Sequence, residues 1–210
     1  MFQRYRAAMT AITPRARGEY AKSAARRVEI LTAAVEVFSS AGFHKGSLRD
    51  VAERVGLSQA GVLHHFPSKT HLVEAVLEWR DEEARGRFGD PTSGLLTIKA
   101  LVDLVGYNQR ETPQLVELYA TLSAEATSPD HPAHDYFVQR YVWVVGYVQE
   151  AFERAAEAGD LRPGVDCAGA ARAFVALMDG LQVQWLYDRD AVDMATEVRR
   201  YAQSLFTVDL

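Results

Sequence analysis

The sequence predicts an all-α protein of about nine helices, arranged as a short N-terminal part and a longer C-terminal part. Apolar residues recur at intervals of three and four along almost the whole chain after residue 21, which is the spacing of one helix face. Short segments rich in Ser, Gly, Pro and Asp separate the helical stretches, as in GDPTSG at 89–94 and GDLRPG at 159–164. No stretch alternates apolar and polar residues as a strand hairpin would, and no internal repeat is present.

The predicted helices follow one another with clear start and stop signals. The first covers about 22–40, and two short helices lie between Ser47 and Pro67. The longer helices that follow cover about 68–88, 95–109, 113–126, 135–158, 167–187 and 191–206. Ser68 and Thr112 stand at N-cap positions, and Pro113 occupies the first helical position, where its missing N–H does no harm.

The segment SLRDVAERVGLSQAGVLHHFPSK at 47–69 has the pattern of a helix-turn-helix. Ser47 and Asp50 form a capping-box-like pair, and Gly56 ends the first helix where positive φ is needed. Ser58 caps the second helix and Pro67 stops it. An ordinary helical hairpin would have the same spacing. The polar residues on or beside the exposed surface favour a DNA-binding interpretation; they are Arg49, Gln59, His64, His65 and Lys69.

The flanks of this segment strengthen that interpretation. With ILTAAVEVFSSAGF before it and SKTHLVEAVL after it, the stretch from about Arg26 to Leu77 resembles the DNA-binding domain of the TetR family of bacterial transcriptional regulators. The matching positions outside the first helix are Gly42, Ala52, Gly56, Ser58, Phe66 and Lys69. Members of this family often carry Tyr, a common phosphate contact, at the place that Leu63 occupies here. His64 or His65 would then make that contact.

The resemblance implies a set of DNA-contacting residues in this segment. Gln59 is placed for hydrogen bonds to base edges, with adenine as its favoured partner, and Arg49 would reach guanine or a phosphate. Ala60 and Gly61 keep the helix surface shallow, so that the backbone can approach the bases. Ser47, His64 and Lys69 would contact the DNA phosphates and position the protein on the duplex. The full predicted set is Lys45, Ser47, Arg49, Ser58, Gln59, Ala60, Gly61, His64, His65 and Lys69.

Charge divides the chain in the same place. Residues 1–70 hold 11 Lys+Arg against 5 Asp+Glu, whereas residues 71–210 hold 12 against 23. A basic module suits phosphates and an acidic remainder does not. We therefore predict a flexible basic arm at 1–21, a DNA-binding domain at 22–70 and a helical effector-binding and dimerisation domain at 71–210. The arm either enters a minor groove or is a leader that touches nothing.

Aromatic residues in helices four to eight resemble the lining of the small-molecule pocket that this family places there. The alternative is a plain core, since aromatic stripes are commonly core. Asp103 and Glu117 each lie within an apolar run, as ligand anchors or on the solvated face. The predicted pocket set is Trp79, Asp103, Tyr107, Glu117, Tyr119, Tyr141 and Trp143.

The last two predicted helices carry apolar stripes that either close their own core or form a dimer interface. In the TetR family the two C-terminal helices commonly pair with those of a second copy. The predicted interface set is Phe174, Leu177, Met178, Leu181, Trp185, Val198, Tyr201 and Leu205. The resemblance then implies a homodimeric repressor that binds a palindromic DNA operator and is released by an unidentified small-molecule effector.

Other classes of function find little support. The chain has no phosphate-cradling glycine loop, no HExxH and no GxSxG elbow, so we expect no enzyme activity and no cofactor. DHPAHD at 130–135 could suggest a metal site, but helix capping is the favoured reading, and we expect no metal. The single Cys167 and the absence of a 20-residue apolar run or a secretory leader predict a cytoplasmic protein without a membrane partner. A ligand-independent DNA-binding protein is the remaining alternative.

Overall fold

The computed structural model describes residues 14–88 and 92–210. These residues form nine α-helices and no strands, apart from one isolated bridge between Leu161 and Phe206. The helices are α1 Pro14–Lys45, α2 Leu48–Arg54, α3 Gln59–His65, α4 Lys69–Phe88, α5 Gly94–Glu111, α6 Pro113–Glu125, α7 His134–Glu157, α8 Cys167–Tyr187 and α9 Met194–Leu205. The all-α prediction is confirmed, and most boundaries agree within two residues.

Two helices differ from the predicted ranges. Residues 14–21, predicted to belong to a flexible arm, form the beginning of α1. Proline is tolerated at the start of a helix, so Pro14 begins this one and does not break it. Residues 1–13 of the predicted arm lie outside the described residues. α9 begins at Met194, three residues later than predicted, because the Asp193 side chain caps it by accepting from the backbone N–H of Thr196 at 3.1 Å.

Two hydrophobic cores hold the helices together. The first is built from α1 to α4 together with α6 and the start of α7, and its fully buried members include Phe38, Phe66, Leu72 and Leu122. The second joins α5, α7, α8 and α9 around Phe152, Phe174, Phe206 and Ile98. Burying an aromatic or aliphatic side chain of this size stabilises the fold by about 1.5–3 kcal/mol.

The cores do not divide the chain at residue 70. α6 packs against α1, so a helix from the C-terminal part of the sequence completes the core of the N-terminal part. α4 starts immediately after the helix-turn-helix and runs without a break to Phe88. The helix-turn-helix is therefore joined to the rest of the protein directly through α4 and indirectly through α1, which packs against α6.

Candidate functional site: the helix-turn-helix surface and the central cavity

The helix-turn-helix is fixed by local hydrogen bonds that the sequence pattern predicts. The Ser47 hydroxyl accepts from the backbone N–H of Asp50, and the Asp50 carboxylate accepts from the backbone N–H of Ser47, each at 3.2 Å. Gly56 has a φ of 65°, in the left-handed region that favours glycine, and it turns the chain between α2 and α3. The Ser58 hydroxyl then accepts from the backbone N–H of Gly61 at 3.1 Å.

One face of α3 is anchored to the core and to α1. Val62 and Phe66 are buried. The guanidinium of Arg27 lies 4.2 Å from the centre of the Phe66 ring and donates to the carbonyl of His65 at 3.3 Å. This role of Arg27 was not predicted, because no local pattern links a residue in α1 to a carbonyl 38 positions later.

The opposite face of α3 is open. Gln59, Ala60 and His64 are exposed, as are Lys45 and Arg49 from the neighbouring segments. These are members of the predicted DNA-contacting set.

Gly61 and His65 of the same set are half-buried. An added Cβ at Gly61 would meet nothing closer than 3.5 Å, so internal packing does not require glycine there. Burial lowers the pKa of His65, and the charges of His64, Arg27 and Arg26 lower it further. Leu63, at the position where the family often has Tyr, is 36% exposed.

Three predicted phosphate or backbone contacts also have internal roles. The hydroxyls of Ser47 and Ser58 are used in helix caps. The Lys69 ammonium donates to the carbonyl of His44 at 3.3 Å and lies 4.4 Å from the centre of the Phe43 ring. Burial lowers the pKa of Lys69, and the opposing effect of Glu125 is smaller. Lys69 therefore fastens α4 to the end of α1 in this structure.

A cavity of about 920 Å³ lies among α5, α7 and α8, with α4 and α6 closing one end. Two members of the predicted pocket set, Tyr119 and Trp143, line it. A third, Tyr141, donates its hydroxyl proton at 2.8 Å to Asp179, which is part of the wall.

The other four predicted pocket residues lie elsewhere. Asp103 faces Arg199 at 3.5 Å and Glu117 faces Arg189 at 3.5 Å, in largely exposed ion pairs. Both carboxylates therefore occupy the solvated face, which was the alternative interpretation. Tyr107 lines a smaller cavity beside α9, and Trp79 packs against the first core. Helical spacing alone could not separate these faces.

A network of half-buried polar groups forms the α4 end of the cavity. Arg140 donates to the two oxygens of Asp81 at 2.7 and 2.6 Å, and Arg80 donates to Asp81 at 3.2 Å. The Nε of Arg140 donates to the Tyr119 hydroxyl at 2.9 Å. Burial raises the pKa of Asp179, against the opposing effects of the Tyr141 hydrogen bond, Arg140 and Arg80.

Sequence reasoning missed these four charged residues, Arg80, Asp81, Arg140 and Asp179. Asp179 stands in LMDGL, a carboxylate within an apolar run, which is the signal that singled out Asp103. The Arg140 to Asp81 pair joins residues 59 positions apart and leaves no local trace.

The predicted dimer set belongs largely to the core of the single chain. Phe174, Leu181, Trp185 and Val198 are at most 5% exposed. The partly buried members pack against the same second core; they are Leu177, Met178, Tyr201 and Leu205. These stripes close the chain's own core, which was the alternative interpretation.

The exposed face of α8 differs from the stripe that was predicted to form the dimer interface. It carries Ala173, Ala176, Val183 and Tyr187, the last of which is 90% exposed. This face of α8 is exposed in the single chain.

The turn before α7 does not cap that helix as predicted. The N-cap residue, Ala133, makes no side-chain cap bond, and the buried His131 ring accepts the Ala133 N–H at 3.1 Å. No group of three or more His, Cys, Asp or Glu side chains suited to a metal ion occurs among the described residues. Within the same residues, no helix has the length and apolar character needed to cross a membrane.

Comparison with known proteins agrees with this architecture. Residues 30–76 match the family model for bacterial regulatory proteins of the tetR family, and residues 97–207 match that for the C-terminal part of BetI-type transcriptional repressors. The regulator UidR of Escherichia coli is 27% identical over 85% of this chain and 88% of its own length.

Solved structures show the same likeness. Salmonella enterica GusR has a TM-score of 0.69 at 26% identity, over 87% of this chain and 96% of its own. A transcriptional regulator from Saccharomonospora viridis, solved in complex with choline, has the same fold, with a TM-score of 0.73 at 19% identity over 87% of this chain and 98% of its own. The two family matches together cover most of the sequence. The chain therefore belongs to the TetR family and is a helix-turn-helix transcriptional regulator, not an enzyme.

Proposed function

We propose that this regulator is a cytoplasmic homodimeric repressor that binds a palindromic operator through α3 and is released by a small molecule in the central cavity. The main support for a ligand response is that α4 reaches from the helix-turn-helix to the cavity. Its first residue, Lys69, follows directly on the helix-turn-helix and is fastened to the end of α1, and Arg80 and Asp81 on the same helix line the cavity. Eleven helical residues span about 16 Å, so one rigid element joins the two regions.

DNA recognition is supported by the two faces of α3. The buried face, with Val62, fixes the helix against the core, and the open face presents Gln59, Ala60 and His64. Arg49 and Lys45 add positive charge at the rim. A single helix of seven residues offers few base contacts, so useful affinity requires two copies about 34 Å apart on the duplex.

The exposed face of α8 supports the dimer. Ala173, Ala176 and Gly180 recur at intervals of three and four, and a Cβ added at Gly180 would meet nothing within 4 Å. Small residues let a second helix approach closely, and Val183 and Tyr187 extend the same face with apolar area. We therefore place the interface here.

Sedimentation of the chain with and without its selected DNA site tests this proposal. We expect dimers free in solution and two chains on each duplex. Single chains at concentrations well above the DNA dissociation constant, together with one chain on each duplex, would contradict the dimeric arrangement.

The ligand-independent alternative predicts a different result. If the second part of the chain only held copies together, filling the cavity would leave operator affinity unchanged. The charged network at the α4 end favours the ligand-responsive function, because a packed scaffold gains nothing from charges beside an open cavity.

A further inference from the structure

We infer that the cavity takes an uncharged ligand with an apolar body and a hydroxyl or amide head group, which donates hydrogen bonds to Asp179 and Gln182. This inference rests on the proposed function, because it assumes that the cavity is the effector site. It assigns the chemical class of the effector.

The charges that line the cavity cancel one another. Three cationic and three anionic side chains face it; they are Arg80, Arg140, Arg154, Asp81, Glu150 and Asp179. The Arg140 and Asp81 side chains are only 14% and 15% exposed and approach to 2.6 Å. A charged ligand would leave water for a cavity in which no opposite charge is in surplus, which is costly.

Two neighbouring acceptors on α8 line the cavity, and one of them has no donor among the described residues. Asp179 Oδ2 accepts from the Tyr141 hydroxyl at 2.8 Å. Gln182 is 9% exposed, and within the described part of the chain its buried Oε1 receives no hydrogen bond. Residues three apart lie on the same face of a helix, so the two acceptors are adjacent in the cavity wall. A ligand that reaches both must bring N–H or O–H groups.

The side chains around these two acceptors disfavour a charged head group of either sign. An anion would face the Asp179 carboxylate and the Gln182 carbonyl oxygen, which both repel it. A cation would meet Arg80 and Arg140, whose positive charges act on Asp179 and oppose the rise in its pKa that burial causes. An uncharged hydroxyl or amide satisfies both acceptors without adding charge.

The rest of the cavity suits an apolar body. Leu101, Leu104 and Val144 line it together with Trp143 and Tyr147, whose rings stack at 5.5 Å with an angle of 13° between their planes. The lining extends along α7 from Arg140 to Arg154, a distance of about 21 Å at the helical rise. A body with two fused rings fits within these bounds.

Four compounds with one naphthyl body and different head groups test the inference. They are naphthylethanol, naphthylacetamide, naphthylacetate and naphthylethylamine, titrated calorimetrically into the full chain at neutral pH. We expect the alcohol and the amide to bind about tenfold or more tightly than the acetate and the amine. The difference between the alcohol and the amide shows whether the acceptors take one donor or two.

One substitution in the cavity wall and one outside it test whether Gln182 is responsible for the preference among the four compounds. Gln182→Leu removes one of the two acceptors at similar volume and should reduce the preference for the alcohol and the amide, while Asp179 remains. Gln139→Leu, at an exposed position of α7 outside the cavity lining, should leave the preference intact. If Gln182→Leu does not fold, the ranking on the unsubstituted chain decides.

Three results would overturn the inference. They are tighter binding of the acetate or the amine, an unchanged preference in folded Gln182→Leu, and binding of none of the four at millimolar concentration. DNA-site selection uses no ligand, so it separates the two proposals. DNA binding with the wrong ligand ranking rejects only this inference, and the right ranking without DNA binding rejects only the proposed function.

Discussion

The backbone N–H of Phe43 donates to Oε2 of Glu125 at 2.9 Å, joining chain segments 82 residues apart. The contact lies where α1 bends at Gly42, whose φ of 69° is in the left-handed region. It fastens the end of α1 to the last residue of α6. Because Val116 and Tyr119 of α6 line the cavity, one helix connects the cavity wall with the end of α1, which leads into the helix-turn-helix.

Removing this carboxylate should weaken the fold. Glu125→Ala leaves the Phe43 N–H half-buried without its partner, so we expect the free energy of unfolding to fall by about 1–3 kcal/mol in urea titrations. Glu117→Ala is the matched control in the same helix. Among the described residues Glu117 forms a largely exposed ion pair with Arg189, so its removal should cost less than about 1 kcal/mol. Equal decreases in the free energy of unfolding in the two variants would show that the contact between Glu125 and Phe43 does not stabilise the fold more than an exposed ion pair does.

The free energy of unfolding should decrease as the pH is lowered, because His131 takes up a proton less readily in the folded chain. Burial lowers the pKa of His131 below its ordinary value of 6.5; Glu125 opposes this shift, and His44 and Lys69 add to it. The unfolded chain therefore takes up the proton first. The contribution of His131 to stability is complete above 6.5 and is lost as the pH falls from there through the folded value.

Urea midpoints at about pH 7.5 and 5.5 measure this effect. His131→Asn keeps an acceptor for the Ala133 N–H but does not titrate, so its midpoint should fall less than that of the unsubstituted chain. The pKa of His65 is also lowered, and the comparison between the two chains removes its contribution. Parallel losses in both chains would rule His131 out.

Gly61→Ala should separate stability from DNA binding. Since a Cβ there meets nothing closer than 3.5 Å, alanine should stabilise α3 by about 0.5–1 kcal/mol. The added methyl group stands on the face proposed to meet the bases, so operator affinity should drop by about tenfold, or 1.4 kcal/mol. Gly86→Ala, at an exposed helical glycine remote from that face, should change only stability. Unchanged operator affinity in Gly61→Ala would place the DNA on another surface.

A charge on the open face of α8 should break the dimer. Ala176→Arg puts a long cation in the middle of the proposed interface, so sedimentation should show single chains and operator binding should weaken. Ala156→Arg, at an exposed position of α7, is the control and should remain dimeric. A dimer that survives Ala176→Arg would move the interface elsewhere.

Local features of this fold follow from the sequence because their causes are local. The Ser47 and Asp50 pair, the positive φ of Gly56 and the start of α8 after Asp166 each depend on residues within three or four positions. The open face of α3 follows from the same helical spacing. That is why the helix-turn-helix could be predicted in detail.

The charged lining of the cavity and the α8 face could not be predicted because the residues that form them lie far apart in the chain. An apolar stripe that includes Phe174 and Leu181 has the same sequence pattern whether it packs on its own chain or on a second copy. The ion pair between Arg140 and Asp81 and the hydrogen bond from Lys69 to the His44 carbonyl likewise depend on the tertiary arrangement. Only the packed structure distinguishes these cases.

The central claim, that α3 reads a palindromic operator, is tested most directly by selecting binding sites from a randomised DNA pool with the unsubstituted chain and with Gln59→Ala in parallel. We predict an enriched palindrome with half-sites about one helical turn apart, and loss of preference at one symmetric pair of positions in the variant. No enrichment by the folded protein at low salt, or an identical site for both chains, would contradict the claim.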